Sequence, residues 1–179
     1  YRELGFIPSD KHRESVSCVL EYAYDDWCIA EFAKAIGNDS IAQKYYQRSQ
    51  NYVNVMDSGT KFFRARRANM NWESDFNPYL AGREFTEATA WQYRFFAPHD
   101  VAGLVQQFGG KEPFVAALDS LFNTRASLDV SLADITGWHG QYAHGNEPNH
   151  NFPFLYNYIG QPWKTQQITR QLLEEMYTA

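Results

Sequence analysis

Between Ser15 and Ala35 the apolar side chains Val16, Val19, Leu20, Ala23, Trp27, Ala30, Phe32 and Ala33 recur at the spacing of an α-helix, with no glycine or proline among them. Gly37 then supplies a stop. The rest of the chain repeats this theme. Asp39 or Ser40 is placed to cap a second helix running to about residue 56, with Ile41, Tyr45, Tyr52 and Val55 on one face. Thr86 is placed to cap a third through about residue 96, and Pro98 to open a fourth that ends at Gly109-Gly110. Pro113 opens a fifth carrying Phe114, Leu118, Leu121 and Phe122. A short helix is expected over residues 154–158 and a last one over 162–177, and no alternating run is long enough for a strand. The expected fold class is all-α, built from hairpins of antiparallel helices.

Two stretches escape the helical period. Residues 57–82 mix Gly, Asn, Trp and Arg, including Arg64, Arg66, Arg67, Trp72 and Asn77, and loops of this length are more often functional than idle. The second stretch, Gln141-Tyr-Ala-His-Gly-Asn-Glu-Pro-Asn-His150, carries two histidines, two asparagines, a glutamine and a glutamate in ten residues. Gly145 lets the backbone pass where a side chain would obstruct, and Pro148 is expected to end helical hydrogen bonding just after Glu147. An ordered loop of hard oxygen donors suits calcium or the hydroxyls of a sugar. The alternative is an Asn- and Gly-rich turn with solvated side chains.

Sixteen basic against 21 acidic residues give a net charge of −5 with no basic block, which argues against nucleic acid as a partner. No apolar run approaches the length of a membrane span. Aromatic residues make up 17% of the chain, a surplus that serves core volume or stacking on sugar faces. Cys18 and Cys28 lie about 15 Å apart along one helix and cannot pair with each other there.

Among the acids, Glu21 and Asp25 share a helix face and Asp26 follows, with Arg48 and Arg13 as possible partners. Glu87 is placed at the start of the third helix, on one face with Trp91. A carboxyl pressed against rings stays protonated more readily and can donate its proton to a leaving oxygen. The alternative is a first-turn glutamate that complements the helix dipole. His99-Asp100 reads as a cap beside a solvated histidine.

Several strings together resemble the catalytic domain of glycoside hydrolase family 92: Glu21-Tyr-Ala-Tyr-Asp-Asp-Trp-Cys28, Thr86-Glu87 with Ala90-Trp-Gln-Tyr93, Pro98-His-Asp100, Asp134-Ile-Thr-Gly137, Gly140 through Pro148, and Leu155 through Lys164. The resemblance runs over essentially the whole chain. It implies a calcium-dependent, inverting exo-α-mannosidase, with the helical hairpins forming part of an (α/α)6 barrel preceded by a β-sandwich. It implies Glu87 as general acid, Asn146 and Glu147 at calcium, and Trp91, Tyr142, His144 and Glu147 around the sugar. The substrate implied is a mannose-containing oligosaccharide or glycoprotein glycan, and the setting implied is periplasmic or secreted.

The departures carry expectations of their own. Ala88-Thr89 stands where the family often has Gly-Asn, and Pro148-Asn-His150-Asn151 where it commonly has Pro-Ser-His-His. Gly145 stands where members cutting α-1,2 bonds tend to carry Glu, which points toward an α-1,3 or α-1,6 linkage. The family's base carboxylates belong to a Gly-Asn-Asp-Asp string that would follow the last helix. Residues 1–179 alone are therefore expected to lack the base, the β-sandwich and the C-terminal barrel helices, to be inactive, and to self-associate through apolar barrel faces. The competing reading is a non-catalytic helical carbohydrate-binding or interaction domain.

Overall fold

The computed structural model describes residues 1–125 and 135–177, so the Asp134 end of one family string lies outside them. The first helix, α1 (Ser15–Ala35), occupies the expected range, but it carries no side-chain cap. Its first free N–H groups, on Val16 and Ser17, donate instead to the carbonyl of Glu84 at 3.1 and 3.3 Å. A segment some seventy positions away in sequence thus closes the helix start.

α2 (Asp39–Ser49) is capped by Asn38, whose Oδ1 accepts from the Ile41 N–H at 3.2 Å. It tightens into a 3-10 turn, Gln50–Val55, so the expected extent to about residue 56 is met by two kinds of helix. The buried stripe differs from the expected one: Ala42 and Ser49 face inward with Tyr52 and Val55, while Ile41 is exposed. An ion pair joins the two helices. Arg48 is aimed at Asp26 of α1, its Nε donating to Oδ2 at 3.1 Å and its Nη2 lying 2.9 Å from Oδ1, and the Tyr1 hydroxyl donates to the same carboxylate at 3.0 Å. Asp26 is 2% exposed. Its desolvation pushes the carboxyl pKa up despite the opposing pull of Tyr1 and Arg48. Ile41 and Arg48 are two turns apart on one stripe, from which the long arginine reaches Asp26, while Ala42 and Ser49 form the adjacent buried stripe.

A two-residue antiparallel pair follows, β1 (Met56–Asp57) with β2 (Phe62–Phe63). The helices α3 (Ala90–Tyr93), α4 (Val101–Phe108) and α5 (Lys111–Asn123) come next. α4 begins three residues beyond Pro98 because Asp100 is its cap, accepting from the Gly103 N–H at 2.9 Å. α5 begins at Lys111, with Pro113 inside the first turn, where a missing N–H costs nothing. A second short pair, β3 (Trp138–His139) with β4 (Tyr142–Ala143), turns at Gly140. Gly140 has φ +63°, and a Cβ there would lie 2.4 Å from the Phe122 carbonyl oxygen, so only glycine lets this turn approach the end of α5.

α6 (Leu155–Tyr158) and α7 (Pro162–Met176) close the description. The Tyr156 hydroxyl and the Lys164 ammonium both donate to Asp119 of α5, at 2.8 Å and 2.6–2.8 Å. The family string from Leu155 to Lys164 therefore contains a tie between α5 and α7. His139, which has no obvious partner in the sequence, meets Glu175 at 2.7 Å.

The aromatic surplus goes largely into the core. Phe95 stacks on Phe108 at 5.2 Å and meets the edges of Phe114 and Phe152 at 5.4 Å each. Arg94 is buried beside Phe62 and Trp91, 4.0 and 4.8 Å from their ring centres, and burial lowers its pKa to about 10. Its Nε and Nη1 donate to the Lys61 carbonyl and the Ser120 hydroxyl, each at 3.1 Å. On α1, Phe32 departs from the expected buried face and is 68% exposed. Both cysteines are free. Among the described residues no helix is long and apolar enough to cross a membrane.

Candidate active site

Glu87 stands outside any helix. The expected start at Thr86 is displaced because Thr89 forms a capping box with Gln92, and α3 begins only at Ala90. The Gln92 Oε1 accepts from the backbone N–H and the hydroxyl of Thr89, both at 2.8 Å. Glu87 sits in the left-handed turn before it, with φ 47°, so it does not share a helix face with Trp91. Its side chain is exposed and not pressed among rings as expected. A left-handed glutamate costs about 1–2 kcal/mol. Its neighbours hold it there: Thr86 N–H donates to the Ser17 hydroxyl at 2.9 Å, and Gly82 N–H to the Ala88 carbonyl at 3.0 Å.

The polar loop comes directly onto this turn. Asn146, buried, donates from Nδ2 to the backbone carbonyl of Glu87 at 2.8 Å. Its own carbonyl accepts from Asn149 Nδ2 at 3.0 Å. Glu147 opens a 3-10 turn, Glu147–Asn149, and its side chain is exposed. Pro148 lies inside that turn and does not end it, because the first residues of a helical turn need no N–H partner. Gly145 is held by close approach: a Cβ there would lie 2.1 Å from Thr136 Oγ1 and 3.3 Å from the Thr136 carbonyl oxygen.

His144 is half-buried and uses both ring nitrogens, Nδ1 with the Tyr142 hydroxyl at 2.9 Å and Nε2 with the Tyr177 hydroxyl at 2.7 Å. The His150 ring bonds the His144 carbonyl at 2.7 Å. Desolvation, and then the charge of His150, lower the His144 pKa. Tyr142 is 1% exposed, and burial raises its phenol pKa. Trp91 is also buried, edge-on to Phe62 at 4.9 Å, with its indole N–H unpaired among the described residues.

Glu87, Asn146 and Glu147 are therefore brought together by the fold, with His144 adjoining them in the loop, while Trp91 and Tyr142 lie beneath the surface. Two contributors were not singled out from sequence. Gln92 joins α3 to the polar loop, its Nε2 donating to the Gln141 carbonyl at 2.6 Å, and its capping-box spacing to Thr89 is a legible signal. Ser17 leaves no such signal, since its partner is distant in sequence. Glu21 is half-buried, and desolvation, reinforced by Asp25, raises its carboxyl pKa against a hydrogen bond from Tyr93.

The donors can be tested against a cation. A backbone carbonyl only accepts, so the Asn146 nitrogen must face Glu87 and its Oδ1 faces away. That oxygen and the Glu147 carboxylate have no partner among the described residues, and both are the hard oxygens calcium prefers. Two such oxygens are fewer than calcium takes, and the described residues contain no group of three or more His, Cys, Asp or Glu that could hold a metal ion.

Solved structures extend these observations. The chain is 39% identical, with TM-score 0.92, to a family GH92 α-mannosidase from Bacteroides thetaiotaomicron determined in complex with mannoimidazole, covering 98% of this chain and 24% of that one. It is 38% identical, with TM-score 0.87, to a family GH92 inverting mannosidase from Bacteroides thetaiotaomicron VPI-5482, covering 98% and 25%. An uncharacterized secreted glycosidase from Arthroderma benhamiae is 29% identical, over 90% of this chain and 23% of that protein. The chain thus spans about a quarter of the length of each of these relatives. The profile of the glycosyl hydrolase family 92 catalytic domain matches residues 1–179 throughout, and the chain belongs to that family.

Proposed function

We propose that residues 1–179 supply the proton-donating side and part of the cation site of an exo-acting α-mannosidase that hydrolyses terminal α-mannosides with inversion. The observation that carries this reading is the contact between Asn146 and the Glu87 carbonyl, which joins the polar loop to the acid. The Bacteroides relatives, one solved with mannoimidazole and one described as inverting, support the substrate class and the stereochemistry. Glu87, exposed at the tip of its turn, is free to reach a glycosidic oxygen and protonate it. The inverting scheme needs a second carboxylate roughly 6.5–9.5 Å away, on the opposite sugar face, to activate water. Glu147 does not fill that role in this reading, because it lies beside Asn146 on the cation side.

Asn146 and Glu147 would hold calcium, which supplies a Lewis acid and a template for two sugar hydroxyls when bound. His144, fixed between Tyr142 and Tyr177, presents an oriented ring to the same region. Tyr142 and Trp91 act from beneath, Tyr142 through His144 and Trp91 as packing. Gly145 leaves no room for the carboxylate that an α-1,2 member carries there, which favours an α-1,3 or α-1,6 bond. The proposed setting is periplasmic or secreted, and the Arthroderma relative described as a secreted glycosidase supports the second. A polypeptide of residues 1–179 alone is not expected to turn over.

Hydrolysis of an α-linked mannobiose by the full-length protein and its Glu87→Gln variant is the test. A loss of about 100-fold or more is expected, and equal rates would sink the acid assignment. Calorimetric titration with calcium should show binding that Glu147→Gln weakens.

A further inference from the structure

The turn that carries Glu87 is strained, exposed and gripped from two sides by side chains that do not touch its carboxyl. Ser17, buried in the first turn of α1, accepts the Thr86 N–H at 2.9 Å. Asn146, buried in the polar loop, donates to the Glu87 carbonyl at 2.8 Å. Without these partners the buried hydroxyl and amide would be left unpaired, and the left-handed backbone at Glu87 would have less to hold it. Resting on the acid reading above, we propose that Ser17 and Asn146 are positioning residues for Glu87, and that the Asn146 amide couples the acid to the cation, its nitrogen on the turn and its oxygen toward calcium.

The coupling follows from the chemistry of a primary amide. One end can only donate and the other only accept, so a single planar group serves both partners in one orientation. With a cation at Oδ1 the amide would be polarised, and donation from Nδ2 to the Glu87 carbonyl would strengthen. Asn149 holds the backbone of the loop, with Nδ2 on the Asn146 carbonyl at 3.0 Å, which fixes the point from which the amide reaches Glu87. Asparagine at position 146 thus does what neither Asp nor Ala can do. Asp keeps the cation oxygen but cannot donate to Glu87, and Ala loses both ends.

The test separates positioning from general structural damage by the leaving group. Protonation by the acid matters for mannobiose and little for dinitrophenyl α-mannoside, whose phenolate departs unaided. In the full-length protein, Asn146→Asp and Ser17→Ala should each lower kcat on mannobiose by about 100-fold and on the dinitrophenyl substrate by about threefold or less, the pattern also expected of Glu87→Gln. Calorimetry should find calcium affinity within about threefold of the parent in Ser17→Ala, and binding at least as tight as the parent's in Asn146→Asp, where a charged oxygen replaces a neutral one. Equal losses on the two substrates, or none, with the split still present in Glu87→Gln, overturn this inference alone. Absence of the split in Glu87→Gln overturns the acid reading and this inference with it. Loss of calcium binding in Asn146→Asp overturns the two-ended role of the amide, and if that variant does not fold, Ser17→Ala, which leaves the loop untouched, decides the positioning claim.

Discussion

Gly145 and His99 are two residues whose surroundings set their tolerance. A Cβ at 145 meets Thr136 Oγ1 at 2.1 Å, so Gly145→Ala should cost about 1–2 kcal/mol in urea unfolding, and adding Thr136→Ala should recover most of it. His99 is half-buried among Tyr24, Trp27 and Tyr52, with Nε2 on the Ser49 carbonyl at 2.9 Å and Nδ1 buried without a partner among the described residues. It is not the solvated histidine its place beside Asp100 suggests. Burial lowers its pKa from the ordinary 6.5, although the Ser49 carbonyl and Asp100 pull the other way. The unfolded chain therefore takes up the proton first, and stability should fall as pH drops below about 6.5. His99→Gln should flatten that fall in melts recorded from pH 7 to pH 5, leaving the part that comes from His144, whose pKa is also lowered.

At the scale of elements, helices whose limits follow from their own residues were legible and those ended by distant groups were not. α7 ends within a residue of expectation and α1 matches it, because the apolar period and the flanking Gly37 and Pro162 are local signals. α3 begins three positions later than a cap at Thr86 implies. Thr86 looks like a cap, but its N–H is drawn to Ser17, and the hydroxyl that caps belongs to Thr89. Thr89→Ala should cost about 1 kcal/mol and loosen the Glu87 turn, seen as faster amide exchange at Ala90 and Trp91. The α1–α2 hairpin rests on Asp26 and Arg48. Arg48→Met leaves a buried carboxylate without its cation and should destabilise by about 3 kcal/mol in urea unfolding, whereas Asp26→Leu combined with Arg48→Met should restore most of the loss.

Over the whole molecule, one set of apolar residues is inside and another is left facing out. Tyr22, Ile29, Phe32 and Ile36 lie exposed along or just beyond α1, and Trp163, Leu173 and Tyr177 along or just beyond α7, in a chain that spans about a quarter of its relatives. A polypeptide of residues 1–179 should associate through these faces in sedimentation velocity, and Phe32→Glu should shift it toward monomer. The sequence by itself determined the helical class, the order of the long helices and the family, and it nominated Glu87, Asn146 and Glu147 as site residues, because spacing, caps and motif strings are carried by neighbouring residues. Only the tertiary structure decided that Glu87 sits in a strained turn outside the helix, that Asn146 grips its carbonyl, that Ser17 holds the residue before it, and that Trp91 and Tyr142 are packed beneath the surface. Those facts depend on hydrogen bonds between groups as far apart as positions 17, 86 and 146. No local pattern encodes such a bond, because its energy is gained only when the core brings the partners together.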